Sequence, residues 1–171
     1  KMISEICNLY PYPNVKVASV DEDDDIVDEN EALEMAIKAV GEQLETVKKG
    51  ACYKSHDNIN GYLFTASKMY PQGNKEKYWF GLRFKRFEQL QDCENVNLIL
   101  ICRHKDVVVL KLTKAFLEKI KERLNTSLDE EGNIKHYHVV VFINPDNTVS
   151  MLLSKPMLEE IDISEFVVNG I

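Results

Sequence analysis

The chain has 171 residues, 44% of them hydrophobic and 9% aromatic, with a formal net charge of −7. That apolar share is enough for a folded core and excludes a disordered chain, and the length fits one domain. The longest apolar runs, NLILIC at 97–102 and HVVVFI at 138–143, are strand-length, well short of the roughly 18–20 residues of a membrane-spanning helix, so no membrane partner is expected.

Residues 1–20 carry Pro11 and Pro13 and little periodicity, and read as an arm or linker. The opening Lys1-Met2, with no signal segment at the N-terminus, reads either as the edge of a piece cut from a longer protein or as a scar added at the start. DEDDDIVDENEALE, residues 21–34, holds nine acids and no base; without it the rest of the chain stands at +2, and residues 53–89 alone at about +4. The acidity is therefore local and leaves room for an anionic partner. The run reads either as a solvated linker or as a segment that occupies a basic face in cis in place of phosphates. The expected organisation is an arm with the acidic run over 1–27 and a single α+β domain over 28–171.

Asp28 followed by Glu31 suits a helix N-terminus. Leu33, Ile37, Val40, Leu44 and Val47 recur at helical spacing, and Gly50 suits a left-handed cap, which predicts a helix over about 29–49. From residue 51 the period is two. ACYKSH and GYLFTASKMY read as strands, and PQGN at 71–74 as a turn. In KEKYWFGLRFKR, residues 75–86, Tyr78, Phe80, Leu82 and Phe84 share one face, while Lys77, Trp79, Gly81, Arg83 and Lys85 share the other. FEQLQDCEN suits a short helix or loop. VNLILIC and VVVLKL around RHKD read as a hairpin of buried strands. A second helix is predicted over about 113–124, capped by Thr113. IKHYHVVVFI and TVSMLL, joined by NPDN, read as a further strand pair, and the tail from Pro156 is mixed. Consecutive hairpins predict an α+β fold with one mainly antiparallel sheet of about six to seven strands and two main helices.

Motifs that name a reaction are missing. There is no phosphate-binding glycine loop, no nucleophile elbow, no paired-cysteine or HExxH zinc spacing, and no acid two residues before a lysine as restriction-type nucleases use. No cofactor is expected, and no catalytic residue is assigned. The four cysteines, Cys7, Cys52, Cys93 and Cys102, are scattered and read as reduced thiols of a cytoplasmic protein. His136 and His138 lie two apart on a strand and point the same way. They are a possible ligand or metal pair, with His104 and Cys102 as chemically suitable third donors. The plainer reading puts His136 at the wet end of the strand and His138 half-buried and hydrogen-bonded. The basic–aromatic set, Lys54, Lys75, Lys77, Trp79, Arg83, Lys85 and Arg86 with Tyr53, Lys68 and Tyr70 nearby, is what a single-stranded nucleic acid requires: cations for phosphates and aromatic faces for bases. The plainer reading is a solvated sheet face.

Two stretches carry a family resemblance. VKKGACYKSHDNINGYLFTASKMYPQGNKEKYWFGLRF resembles a small module of bacterial proteins found beside restriction-type or helicase domains. NLILICRHKDVVVLKLTKAFLEKIKERLNTSLDEEGNIKHYHVVVF is similar to another part of such proteins, with an aromatic-histidine strand at Tyr137-His138. Together they span about residues 30–153. The resemblance implies an accessory domain of a prokaryotic defence or DNA-processing protein, whose other domains are its partners, and it singles out His138, then Tyr78 and Trp79. The resulting expectation is a non-catalytic module that binds nucleic acid or a nucleotide-like ligand through the sheet face around Trp79. The alternatives are a protein-interaction or oligomerisation domain and a small metal-dependent hydrolase built on His136 and His138. Oligomeric state is left open.

Overall fold

Asp28 starts the first helix, its carboxylate accepting from the backbone N–H groups of Asn30 and Glu31 at 3.0 and 3.4 Å. The computed structural model describes residues 25–169. The arm, the start of the acidic run and Cys7 lie outside the described residues. Helix α1 runs Glu29–Val40 and ends where Gly41 takes φ 77°, a left-handed cap that a side chain disfavours. The helical spacing that continues through Leu44 and Val47 is misleading: Leu44–Lys48 is an edge strand, β1, paired with β2 (Cys52–Ser55). The stop signal is Gly41, not Gly50. The expected helix over 29–49 is thus a helix followed by a strand.

The remaining strands are β3 (Asn60–Lys68), β4 (Tyr70–Gln72), β5 (Lys75–Leu82), β6 (Asn95–Arg103), β7 (Val107–Thr113), β8 (Thr126–Leu128), β9 (Ile134–Ile143), β10 (Val149–Leu153), β11 (Glu159–Asp162) and β12 (Val167–Asn169). A second helix, α2, spans Lys114–Ile120 with the Thr113 hydroxyl accepting from Phe116 N–H at 3.1 Å, and a 3-10 turn over 121–123 completes the predicted 113–124 segment. FEQLQDCEN begins inside a 3-10 segment, Phe84–Leu90, and another lies at Ser164–Phe166. The fold is α+β with mostly antiparallel sheets. The helical segments exceed the expected two, and the strands exceed the expected six to seven because they form two sheets rather than one.

The first sheet has the order β1-β2-β3-β6-β7-β12, and the second β11-β10-β9-β5-β4 with β8 on β9. All pairings are antiparallel except β3 with β6, whose connection passes through β4 and β5 of the second sheet. Alternation in a strand reports that one face is dry; it does not report which sheet that face belongs to. Leu63, Leu98, Leu100, Leu110 and Leu112 of the first sheet meet Tyr78, Phe80, Leu82, Val139, Val141 and Met151 of the second in one inter-sheet core. On the far side of the first sheet Tyr62, Phe64, Ile99, Ile101, Val107 and Val109 pack beneath α1, which approaches through the fully buried Ala32 and Ala36. Strand β6 is therefore buried on both faces, which explains the unbroken apolar run NLILIC. The layers are α1, first sheet, second sheet, and no described helix covers the outer face of the second sheet. No described helix is long and apolar enough to cross a membrane.

Two positions test this packing. Leu100→Ala removes a fully buried side chain between the sheets and is expected to cost about 2–5 kcal/mol. A methyl on Gly61 would stand 3.0 Å from Cys93 Sγ and 3.2 Å from Leu90 Cβ, so Gly61→Ala is expected to cost about 1–3 kcal/mol by overpacking. Urea unfolding midpoints measure both, with the exposed Lys119→Ala expected within about 0.5 kcal/mol of the parent.

Candidate nucleic-acid interface

Because Tyr78, Phe80 and Leu82 are buried inward, the residues between them must point outward. Lys77, Trp79 and Gly81 thus share the outer face of the second sheet, and Arg83 follows in the same phase. Strand β9 lies alongside in antiparallel register, with Gly81 opposite His138 and Trp79 opposite Val140. Its inward residues are Val139 and Val141, so His136 and His138 face out beside Trp79 and Arg83. The two candidate groups read separately from the sequence, the basic–aromatic strand and the histidine pair, are one cluster.

Trp79 is 42% exposed, and its ring meets His138 edge-on at a centroid distance of 5.3 Å. Gly81 makes room for it: a Cβ there would stand 3.0 Å from Trp79 Cη2 and 3.3 Å from His136 Cδ2. The Trp79 backbone N–H donates to Ser67 Oγ at 3.0 Å, tying this strand to the end of β3. Arg83 Nε donates to His136 Nε2 at 3.0 Å. That nitrogen is therefore the acceptor, and a neutral ring carries its proton on Nδ1, which faces Ser127 Oγ at 3.3 Å. In this tautomer the imidazole donates to the Ser127 hydroxyl and does not draw a proton from it, so Ser127 is not an activated nucleophile. Burial, then the charges of Arg83, Lys135 and His138, lower the titration of His136, and burial alone lowers that of His138.

The other predicted residues fall in several places. Lys75 is on the face, but Glu160 already holds it at 2.9 and 3.1 Å and its ammonium sits 5.1 Å from the Phe142 ring centre. Tyr70 pairs with Lys77 on the same side. Arg86, in the 3-10 segment, lines a cavity of about 350 Å³ with Lys48, Gly81, Arg83 and His136. Lys85 lies apart, in a mixed-charge groove with Glu88, Glu118 and Lys121. Lys54 is not on this surface: β2 belongs to the first sheet, and Tyr53 on the same strand is buried beneath α1. The expected basic–aromatic set therefore does not share one surface: Lys54 is separate because β2 pairs with β3 and not with β4 or β5. Tyr78 is a core residue, 1% exposed, whose hydroxyl donates to Glu76 Oε1 at 2.9 Å.

Neither suggested third donor joins the histidines. Cys102 is in the inter-sheet core with its thiol pushed up by burial, and His104 pairs with Glu76 at 3.2 Å. Among the described residues no group of three or more histidine, cysteine, aspartate or glutamate side chains is arranged to hold a metal ion. Two contributors escaped the sequence reading. Lys48 falls near the end of the helix expected over 29–49, and Ser127 lies between expected elements; only the pairing of β8 with β9 places it opposite His136. No protein-family model, curated protein or solved structure matches the chain.

The His136 ring is expected to titrate below the ordinary 6.5, and Arg83→Gln is expected to raise it, since the change removes both a neighbouring cation and the donor that favours the neutral ring. Histidine ring-proton chemical shifts followed against pH measure both values; an unchanged midpoint in the variant contradicts the assignment of Arg83.

Proposed function

We propose that this protein is a non-catalytic, cytoplasmic module that binds single-stranded nucleic acid on the outer face of its second sheet, and that it serves as an accessory domain of a prokaryotic DNA-processing or defence protein. The observation that carries the binding reading is the half-exposed Trp79 set among Lys77, Arg83, His136 and His138 on a sheet face that no described helix covers. Single strands are bound by aromatic platforms that stack bases and by cations that follow the backbone, without the need for a reactive group. Both elements sit here on rigid, paired strands, and both histidines favour the neutral ring, so that His138 extends the aromatic surface. The wider setting is supported by the resemblance of residues 30–153 to modules beside restriction-type and helicase domains.

A second reading has its own observation. Met157 and Leu158, on the turn after β10, are 72% and 73% exposed, an apolar tip suited to contact with another polypeptide. Sedimentation over a range of protein concentrations distinguishes self-association at that tip from a monomer.

Trp79 is the chain's single tryptophan, so its own fluorescence reports on the site. Oligothymidylate is expected to quench it, with an affinity that falls steeply as salt rises. Trp79→Ala, followed by anisotropy of labelled oligonucleotide, is expected to lose about 1–3 kcal/mol of binding. Salt-insensitive binding, or full affinity in Trp79→Ala, counts against the function proposed.

A further inference from the structure

The cavity beside Trp79 has an unusual lining. Lys48 reaches it from β1, Arg83 from the end of β5, Arg86 from the 3-10 segment and His136 from β9, with Gly81 as its fifth boundary and no carboxylate among them. Elements of both sheets thus bring four nitrogen-bearing side chains to one place. Lys48, Arg83 and Arg86 form no ion pair among the described residues. Uncompensated cations brought together repel one another, and an anion placed between them removes that penalty while accepting charge-assisted hydrogen bonds. Arg83 uses Nε on His136 Nε2, which leaves its terminal nitrogens as donors. Gly81 both bounds the cavity and lies against the Trp79 ring. The stacking platform and the cationic cavity are therefore immediate neighbours.

We infer that this cavity is a phosphate subsite: a strand lying on the second sheet places a backbone phosphate among Lys48, Arg83, Arg86 and His136 while an adjoining base stacks on Trp79. The inference rests on the nucleic-acid reading above and adds to it where the phosphate sits. It also assigns the two ends of the face different roles. At the far end Lys75 is neutralised by Glu160, which Ser150 Oγ also approaches at 2.9 Å. The phosphate-binding charge is at the Arg83 end.

A pH signature follows. The charged and titratable groups facing His136 are Arg83 after β5, Arg86 from the 3-10 segment, Lys48 from β1, and Lys135 and His138 from its own strand, with the neutral Ser127 from β8. All the charged ones oppose a proton on the ring. A bound phosphodiester supplies the opposite charge and favours that proton, so binding takes up a proton and strengthens as pH falls. Neither thymine nor a phosphodiester titrates in this range, so the change reports on the protein.

The test uses the full chain with labelled oligothymidylate as probe, and the anisotropy of the label as readout. Lys48→Ala/Arg86→Ala is expected to weaken binding about tenfold or more and to reduce the slope of log affinity against log salt by about 1–2. Lys111→Ala/Lys119→Ala, which removes the same charge from β7 and α2, is expected to stay within about twofold of the parent. Between about pH 7.5 and about pH 5.5 the parent is expected to gain affinity, and His136→Gln to lose that gain. Circular dichroism confirms that each variant is folded. If Lys48→Ala/Arg86→Ala binds like the parent while Trp79→Ala has lost binding, the phosphate lies elsewhere and this inference fails with the nucleic-acid reading intact. Parental affinity in both Trp79→Ala and the cavity variant removes the reading and the inference together.

Discussion

The structure depends on one dry layer between two sheets. Tyr78, Phe80 and Leu82 of β5 and Val139, Val141 and Ile143 of β9 all contribute to it. Side chains alternate along a strand, so burying these commits Lys77, Trp79 and Gly81 on β5 and His136, His138 and Val140 on β9 to the other side. A slip of one residue in either strand would bury Trp79 or a histidine and expose Phe80 or Val139. The energy that holds the outer face in place is therefore apolar burial on the opposite side, not any contact between the outer residues themselves.

On the outer face, polar groups are held by a few well-placed partners. Arg83 fixes the acceptor nitrogen of His136, Ser127 faces the other ring nitrogen, and Gly81 leaves space for the indole. The described cysteine thiols are buried and their pKa values raised, and Lys48, Arg83 and Arg86 line one cavity with His136.

Local features of the fold were legible in the sequence, and non-local ones were not. Strand β9 matches IKHYHVVVFI from end to end, the β6–β7 hairpin matches its apolar runs and turn, and Asp28 and Thr113 cap their helices as their chemistry suggests. Each of these depends on neighbours within a few residues. The spacing points past the true end of α1 because Leu44 and Val47 continue the helical interval beyond Gly41, whose left-handed conformation stops the helix. The division into two sheets was hidden because a period of two is the same in either. For the same reason the sequence neither separates Lys54 from the face around Trp79 nor brings Trp79 and His138 together. Their meeting depends on β5 pairing with β9, a register that no local pattern encodes.

That pairing also governs when the outer surface comes into existence. Trp79 and Arg83 leave the ribosome well before His136 and His138, and the chain between them includes the central hairpin of the other sheet. Long-range strand pairing is slow compared with local folding. A nascent or prematurely ended chain therefore carries the tryptophan and the arginines without the groups that orient them, and the complete surface belongs only to a molecule whose C-terminal strands have docked.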